Sequence, residues 1–144
     1  MDKDFEKLGN ELQELIDEET RKIYSEKVIQ YFTQHENMGR MNDPDGSAYI
    51  KGPCGDSMEM YLAISEDRVA EVRFFTDGCV PTIACGSAAT NLVKGKHIKD
   101  AMKIAPADII DALDGLPEWN LHCAILATTT LYKALADYLL RKQM

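Results

Sequence analysis

The sequence predicts an α+β fold: a short antiparallel three-stranded sheet, packed on one face by several helices, with a long C-terminal helix and an N-terminal helical extension. Three observations carry this. Residues 4 to 33 place apolar side chains at three- and four-residue steps, residues 47 to 75 hold three short runs with strand-like alternation, and almost everything after Val80 is helical. Strands gathered in one stretch, with helices afterwards, give an antiparallel sheet covered on one side.

Taken in order, Phe5, Leu8, Leu12, Leu15 and Ile16, then Ile23, Val28 and Phe32, mark the first helical region. Glu18-Glu19-Thr20-Arg21 either continues it or breaks it, and Ser25 with Glu26 suits the cap of a second helix. The face opposite the stripe in residues 1 to 19 is strongly charged. That pattern fits a solvated amphipathic helix or, alternatively, a helix kept for an oligomer or partner contact. His35 to Gly46 has a loop composition. Strands follow at Ser47 to Lys51, Met58 to Ser65 and Val69 to Phe75, and Ser65-Glu66-Asp67-Arg68 is expected to be the hairpin turn between the last two. Helices are expected over Val80 to Lys94, Ile98 to Ile104, Ala107 to Leu113 and Leu121 to Arg141, with a loop over Gly115 to Asn120. The last helix should bury a stripe of Ile125, Leu126, Leu131, Leu135, Tyr138 and Leu139.

A chain of 144 residues that is 45% hydrophobic suits one compact domain over 1–144, with residues 1 to 20 as its helical extension. Mean hydropathy is −0.28, and no apolar run approaches the ~18 residues of a membrane span. The opening Met1-Asp2-Lys3-Asp4 lacks the basic-then-apolar order of a signal peptide, so a cytoplasmic protein is expected. A net charge of −8 argues against binding nucleic acid through its phosphates.

Four cysteines in a reducing compartment should be free thiols, metal ligands or catalytic groups rather than disulfides. Three of them stand in turns at element ends, where function concentrates. Cys54 lies in Gly52-Pro53-Cys54-Gly55-Asp56, whose glycines allow close backbone approach and whose Asp56 adds a carboxylate. Cys79 follows Asp77-Gly78 and precedes Val80-Pro81. It is therefore expected at a helix N-terminus, where converging N–H groups favour a thiolate. Cys123 follows His122 at the mouth of the last helix; adjacent helical residues diverge by about 100°, so the two do not reach one metal equally without adjustment. Three thiolates with a carboxylate or an imidazole suit zinc or an iron–sulfur cluster, provided the fold gathers them. Cys85, six residues beyond Cys79 and on the other side of the helix, is read as buried packing. The alternative is a thiol that pairs with Cys79 or relays sulfur to it.

Gly52-Pro53-Cys54-Gly55-Asp56, Asp77-Gly78-Cys79 with its small-residue helix, Val93-Lys94-Gly95-Lys96, and Leu116-Pro117 leading to Leu121-His122-Cys123 together resemble the IscU/NifU N-terminal family of iron–sulfur cluster assembly scaffolds. The resemblance runs from about Tyr24 to Tyr138 and includes Asn37-Met38-Gly39. It implies a scaffold without enzymatic turnover that builds a labile 2Fe–2S cluster from iron and sulfur supplied by a cysteine desulfurase, and passes it to apoproteins. It also implies that Cys54, Cys79 and Cys123 are the scaffold thiols, Asp56 the aspartate linked to lability and His122 a neighbouring potential ligand. Zinc in the same site, or a sulfur-accepting partner of the desulfurase, is the alternative. A monomer or homodimer fits either reading.

The sequence departs from the family in three places. Its Leu-Pro-Pro-Val-Lys chaperone-recognition stretch appears here as Leu116-Pro117-Glu118-Trp119-Asn120, which argues against an Hsp70-type partner. Cys85 stands where the family has a small hydroxyl residue or alanine, and residues 1 to about 20 precede the common family start.

Overall fold

Three strands, β1 (Gly46–Lys51), β2 (Ser57–Ser65) and β3 (Arg68–Thr76), form an antiparallel sheet in the order β1-β2-β3. The computed structural model describes residues 2–53 and 55–143; Cys54 lies outside the described residues, as do the side chains of Asp2, Ile16, Asp17 and Thr20. Ser65 pairs with Arg68 across a two-residue turn in which Glu66 and Asp67 both have positive φ, so the expected hairpin is present. Met58, Met60 and Leu62 are fully buried while Glu59, Tyr61 and Ala63 between them are partly exposed, as alternation along a half-buried strand requires. In β3 the buried positions jump from Val69 to Val72 because a register shift opposite Ala63 and Ile64 leaves Ala70 unpaired.

Helices cover one face of this sheet. α1 (Asp2–Ile23) ends just before Tyr24, and Ser25 caps α2 (Glu26–Gln34) by accepting from Val28 N at 3.1 Å. The break therefore falls beyond Glu18 to Arg21, at the residue able to cap. Segment 37–39 runs beside β3, with Phe74 N donating to Asn37 O at 3.0 Å and Gly39 N donating to Phe74 O at 2.7 Å.

α3 (Val80–Val93) packs on β3, α2 and α6 (Leu121–Lys142), and α6 lies across β1 and β2. Small residues make both approaches possible. A Cβ on Gly86 would stand 2.4 Å from the Phe74 ring, and one on Gly46 would stand 2.4 Å from Ala134 O. α4 is shorter than expected, Ile98–Ala101, and α5 spans Pro106–Ala112. The loop before α6 contains a 3-10 turn, Glu118–Asn120.

One burial expectation needs correction. Ile125 points outward at 54% exposure, whereas Cys123, Ala124, Ala127, Thr128, Thr130 and Ala134 are buried alongside Leu126, Leu131 and Leu135. The spacing of large apolar residues marks the stripe but not the small residues that are buried where α6 approaches β1 and α3.

Candidate functional site

The Gly52–Asp56 turn, the start of α3 and the start of α6 converge around the side chain of Thr82. In the first of these, Gly52 N donates to Asp56 O at 2.7 Å and Gly55 N donates to Gly52 O at 3.1 Å. Gly55 has φ +92, a left-handed conformation that glycine adopts without steric cost. Cys54, the thiol of this turn, lies outside the described residues.

The second stretch is tied to the first by Asp77. Its Oδ1 accepts from Ser57 N at 2.8 Å and from Ser57 Oγ at 3.0 Å. The backbone N–H of Ser57, followed by its hydroxyl, holds the Asp77 carboxyl below the usual carboxylate range. Cys79 is the N-cap of α3, with extended φ and ψ of −91° and −167°, and its carbonyl receives Ile83 N at 3.0 Å. Its side chain makes no capping bond and is exposed. Pro81 falls in the first turn as expected.

At the third stretch Cys123 is buried, and the imidazole of His122 folds back so that Nε2 stands 3.6 Å from Cys123 Sγ. Adjacency on the helix therefore does not separate the two donors. Thr82, fully buried, joins the stretches: its hydroxyl donates to Asp56 Oδ2 at 2.7 Å and lies 3.5 Å from Cys123 Sγ. Asp56, Thr82, Cys123 and His122 form one chain of polar contacts.

Burial pushes the Tyr24 phenol up, with smaller contributions in the same direction from Cys79 and Cys123. Among the described residues, no three His, Cys, Asp or Glu side chains are already arranged to hold a metal ion. The donors of these stretches, thiols with an imidazole and one carboxylate, suit zinc or iron better than magnesium or calcium. Cys85 is fully buried among core residues, and burial, with a smaller contribution from Cys123, pushes its thiol well above the ordinary value. That is the environment of a packing residue.

Sequence reading missed Tyr24, Thr82 and the pinning role of Asp77. Thr82 stands three residues after Cys79, close to the same side of the helix, but nothing in the sequence gives its contact with Asp56. Asn120, one residue before α6, also went unnoticed; its Oδ1 is buried without a hydrogen-bond partner among the described residues. A cavity of about 80 Å³ between α2 and α3, lined by Tyr31, His35, Asn37, Ser87 and Asn91 among others, includes none of the thiol stretches.

Comparison with known proteins gives a consistent picture. Residues 23–144 match the family described as NifU-like N terminal domain. The iron-sulfur cluster assembly scaffold protein IscU 1 of Archaeoglobus fulgidus is 39% identical over 117 residues, covering 81% of this chain and 76% of the relative. IscU of Escherichia coli K12, also named a scaffold protein, is 38% identical over 120 residues, covering 80% and 93%. The Drosophila melanogaster relative, named an iron-sulfur cluster assembly enzyme, is 36% identical over 126 residues, covering 84% and 81%. Among solved structures, a putative scaffold for the SUF system from Fervidobacterium islandicum superposes with TM-score 0.68 at 22% identity, covering 81% of this chain and 98% of that one. At that identity it supports the fold alone.

Proposed function

The chain belongs to the NifU-like N-terminal domain family, and from that premise we propose that it is an iron–sulfur cluster assembly scaffold. Residues 1–144 act as one scaffold domain, with residues 1–20 as a helical extension. Iron and sulfide are its substrates and an assembled 2Fe–2S cluster its cargo; a cysteine desulfurase supplies the sulfur and apoproteins receive the product. Cys54, Cys79 and Cys123 are the holding thiols, and Asp56 and His122 compete for the remaining position. The observation that carries this reading is the contact chain from Asp56 through Thr82 and Cys123 to His122. It brings a hard oxygen donor and a borderline nitrogen donor beside one thiol. Zinc can take the same mixed donor set.

Relatives that span most of its length are named scaffold proteins, and in this reading we assign the chain no enzymatic activity. Among the described residues no helix is long and apolar enough to cross a membrane, and the proposed setting is the cytoplasm.

Anaerobic reconstitution with iron and sulfide, followed by absorption spectroscopy and metal analysis, tests the proposal. The wild-type chain should take up both, and Ser at any one of Cys54, Cys79 or Cys123 should abolish stable binding, since a hydroxyl does not replace a soft ligand. Cys85→Ser should retain it. Zinc without sulfide uptake would favour the zinc alternative.

Asp56 governs release. A carboxylate is harder than a thiolate and its bond to iron exchanges faster. Asp56→Ala should therefore assemble a cluster, hold it longer and transfer it more slowly to apo-ferredoxin. Faster absorbance decay in the variant would reject the exchange role.

For chaperones, Glu118, Trp119 and Asn120 stand where the family has Pro-Val-Lys, and Trp119 is 69% exposed. Calorimetric titration with a specialised Hsp70 should show weak or no binding; submicromolar affinity would overturn this.

A further inference from the structure

We infer that Thr82 is a positioning residue that presents the carboxylate of Asp56 to a metal held at Cys123; the inference rests on the metal-binding reading above and names a residue which that reading leaves out.

The first ground is where the hydroxyl points. Threonines inside helices commonly return their hydroxyl to their own backbone. Thr33, Thr90, Thr128, Thr129 and Thr130 all do so, donating to the carbonyls of Ile29, Gly86, Ala124, Ile125 and Leu126. Thr82 instead donates across the fold, to Asp56 Oδ2 at 2.7 Å. Thr82 is fully buried and Asp56 half-buried, so this is a charge-assisted bond in a part-buried setting.

A second ground is how the side chain is held. A Cβ on Gly78 would stand 2.6 Å from Thr82 Cβ and Cγ2. The bare glycine of Asp77-Gly78-Cys79 therefore lets Thr82 tuck against the loop that carries Cys79. Asp77 in turn fixes that loop to Ser57, the residue after Asp56. Thr82 thus sits on a braced element, while Asp56 ends a turn next to an open glycine: a Cβ on Gly55 would meet nothing within 4 Å.

The third ground is valence. A threonine hydroxyl has one proton. With that proton directed to Asp56 Oδ2, the oxygen can face Cys123 Sγ only as an acceptor. Asp56 Oδ1 has no hydrogen bond among the described residues. Among the described residues the carboxylate is therefore held through one oxygen, the arrangement in which an outer hydrogen bond orients a metal-ligating carboxylate. Removing such partners typically weakens metal affinity by about 10- to 100-fold.

The experiment measures zinc affinity by competition with a chromophoric chelator, together with amide hydrogen exchange at Gly55 and Asp56 in the metal-free protein. Thr82→Val keeps the shape and deletes the hydroxyl. It should weaken zinc binding by about 10- to 100-fold and speed exchange at both amides. Thr82→Ser keeps the donor and should stay within about threefold of wild type, which also guards against a folding defect in the valine variant. In an Asp56→Ala background Thr82→Val should change affinity by less than about threefold, because the two residues act as one unit. Wild-type affinity in Thr82→Val, or an undiminished effect of Thr82→Val without Asp56, would overturn the inference and leave the scaffold reading standing. Failure of the wild-type chain to bind zinc at all would overturn the inference, whereas the scaffold reading is overturned only by failure of the iron and sulfide reconstitution above.

Discussion

α1 and α6 are each 22 residues long, and both carry apolar residues at three- and four-residue steps. In α1, Phe5, Leu8, Leu12 and Leu15 are 52–79% exposed, whereas Leu126, Leu131 and Leu135 of α6 are buried. The difference lies between the large residues. α6 inserts Ala124, Ala127, Thr128, Thr130 and Ala134, so its backbone can settle against Gly46 of β1 and against α3. α1 fills those places with Asp, Glu, Lys and Gln, whose long stems and charges hold a neighbour away. A periodic stripe establishes that a helix is favoured; close packing also needs small residues where backbones meet.

The largest test of this contrast removes the same atoms from both helices. Leu131→Ala should lower stability by about 2–5 kcal/mol, through lost burial and the cavity left behind. Leu12→Ala should stay within about 0.5 kcal/mol, because the side chain is already in water. Urea denaturation of both variants decides. A cost for Leu12→Ala comparable with that of Leu131→Ala would mean that α1 packs in solution.

A smaller test adds one methyl group to a glycine on each side. Gly46→Ala drives a Cβ into the Ala134 carbonyl and the Tyr138 backbone, and should cost about 1–3 kcal/mol. Gly9→Ala meets nothing within 4 Å and should raise stability by at most about 1 kcal/mol, the difference in helix propensity. Thermal melts should move in opposite directions. Matching shifts would remove the distinction between the two helices.

The same division runs through the candidate site. Cys79 at a helix N-cap, Asp56 in a glycine turn and His122-Cys123 at the mouth of α6 were legible because each belongs to a local pattern of turn chemistry, proline placement or helical phase. Tyr24 and Thr82 were not. Tyr24 stands at the joint between α1 and α2, which is set by Ser25 capping α2. Thr82 matters because α3 lies beside a turn 26 positions earlier in the sequence.

By itself, then, the sequence determined the three strands and their hairpin, the helical remainder and the thiol-bearing stretches, since these follow from backbone conformation and side-chain period over a few residues. Only the tertiary structure decided which helix face is buried, that His122 Nε2 folds toward Cys123, and that one threonine hydroxyl links a carboxylate to a thiol. The buried face and the threonine link depend on distances between segments far apart in the chain, set in part by how closely Gly46 and Gly86 let their neighbours approach. The His122 contact, by contrast, is a local side-chain orientation that helical phase does not fix.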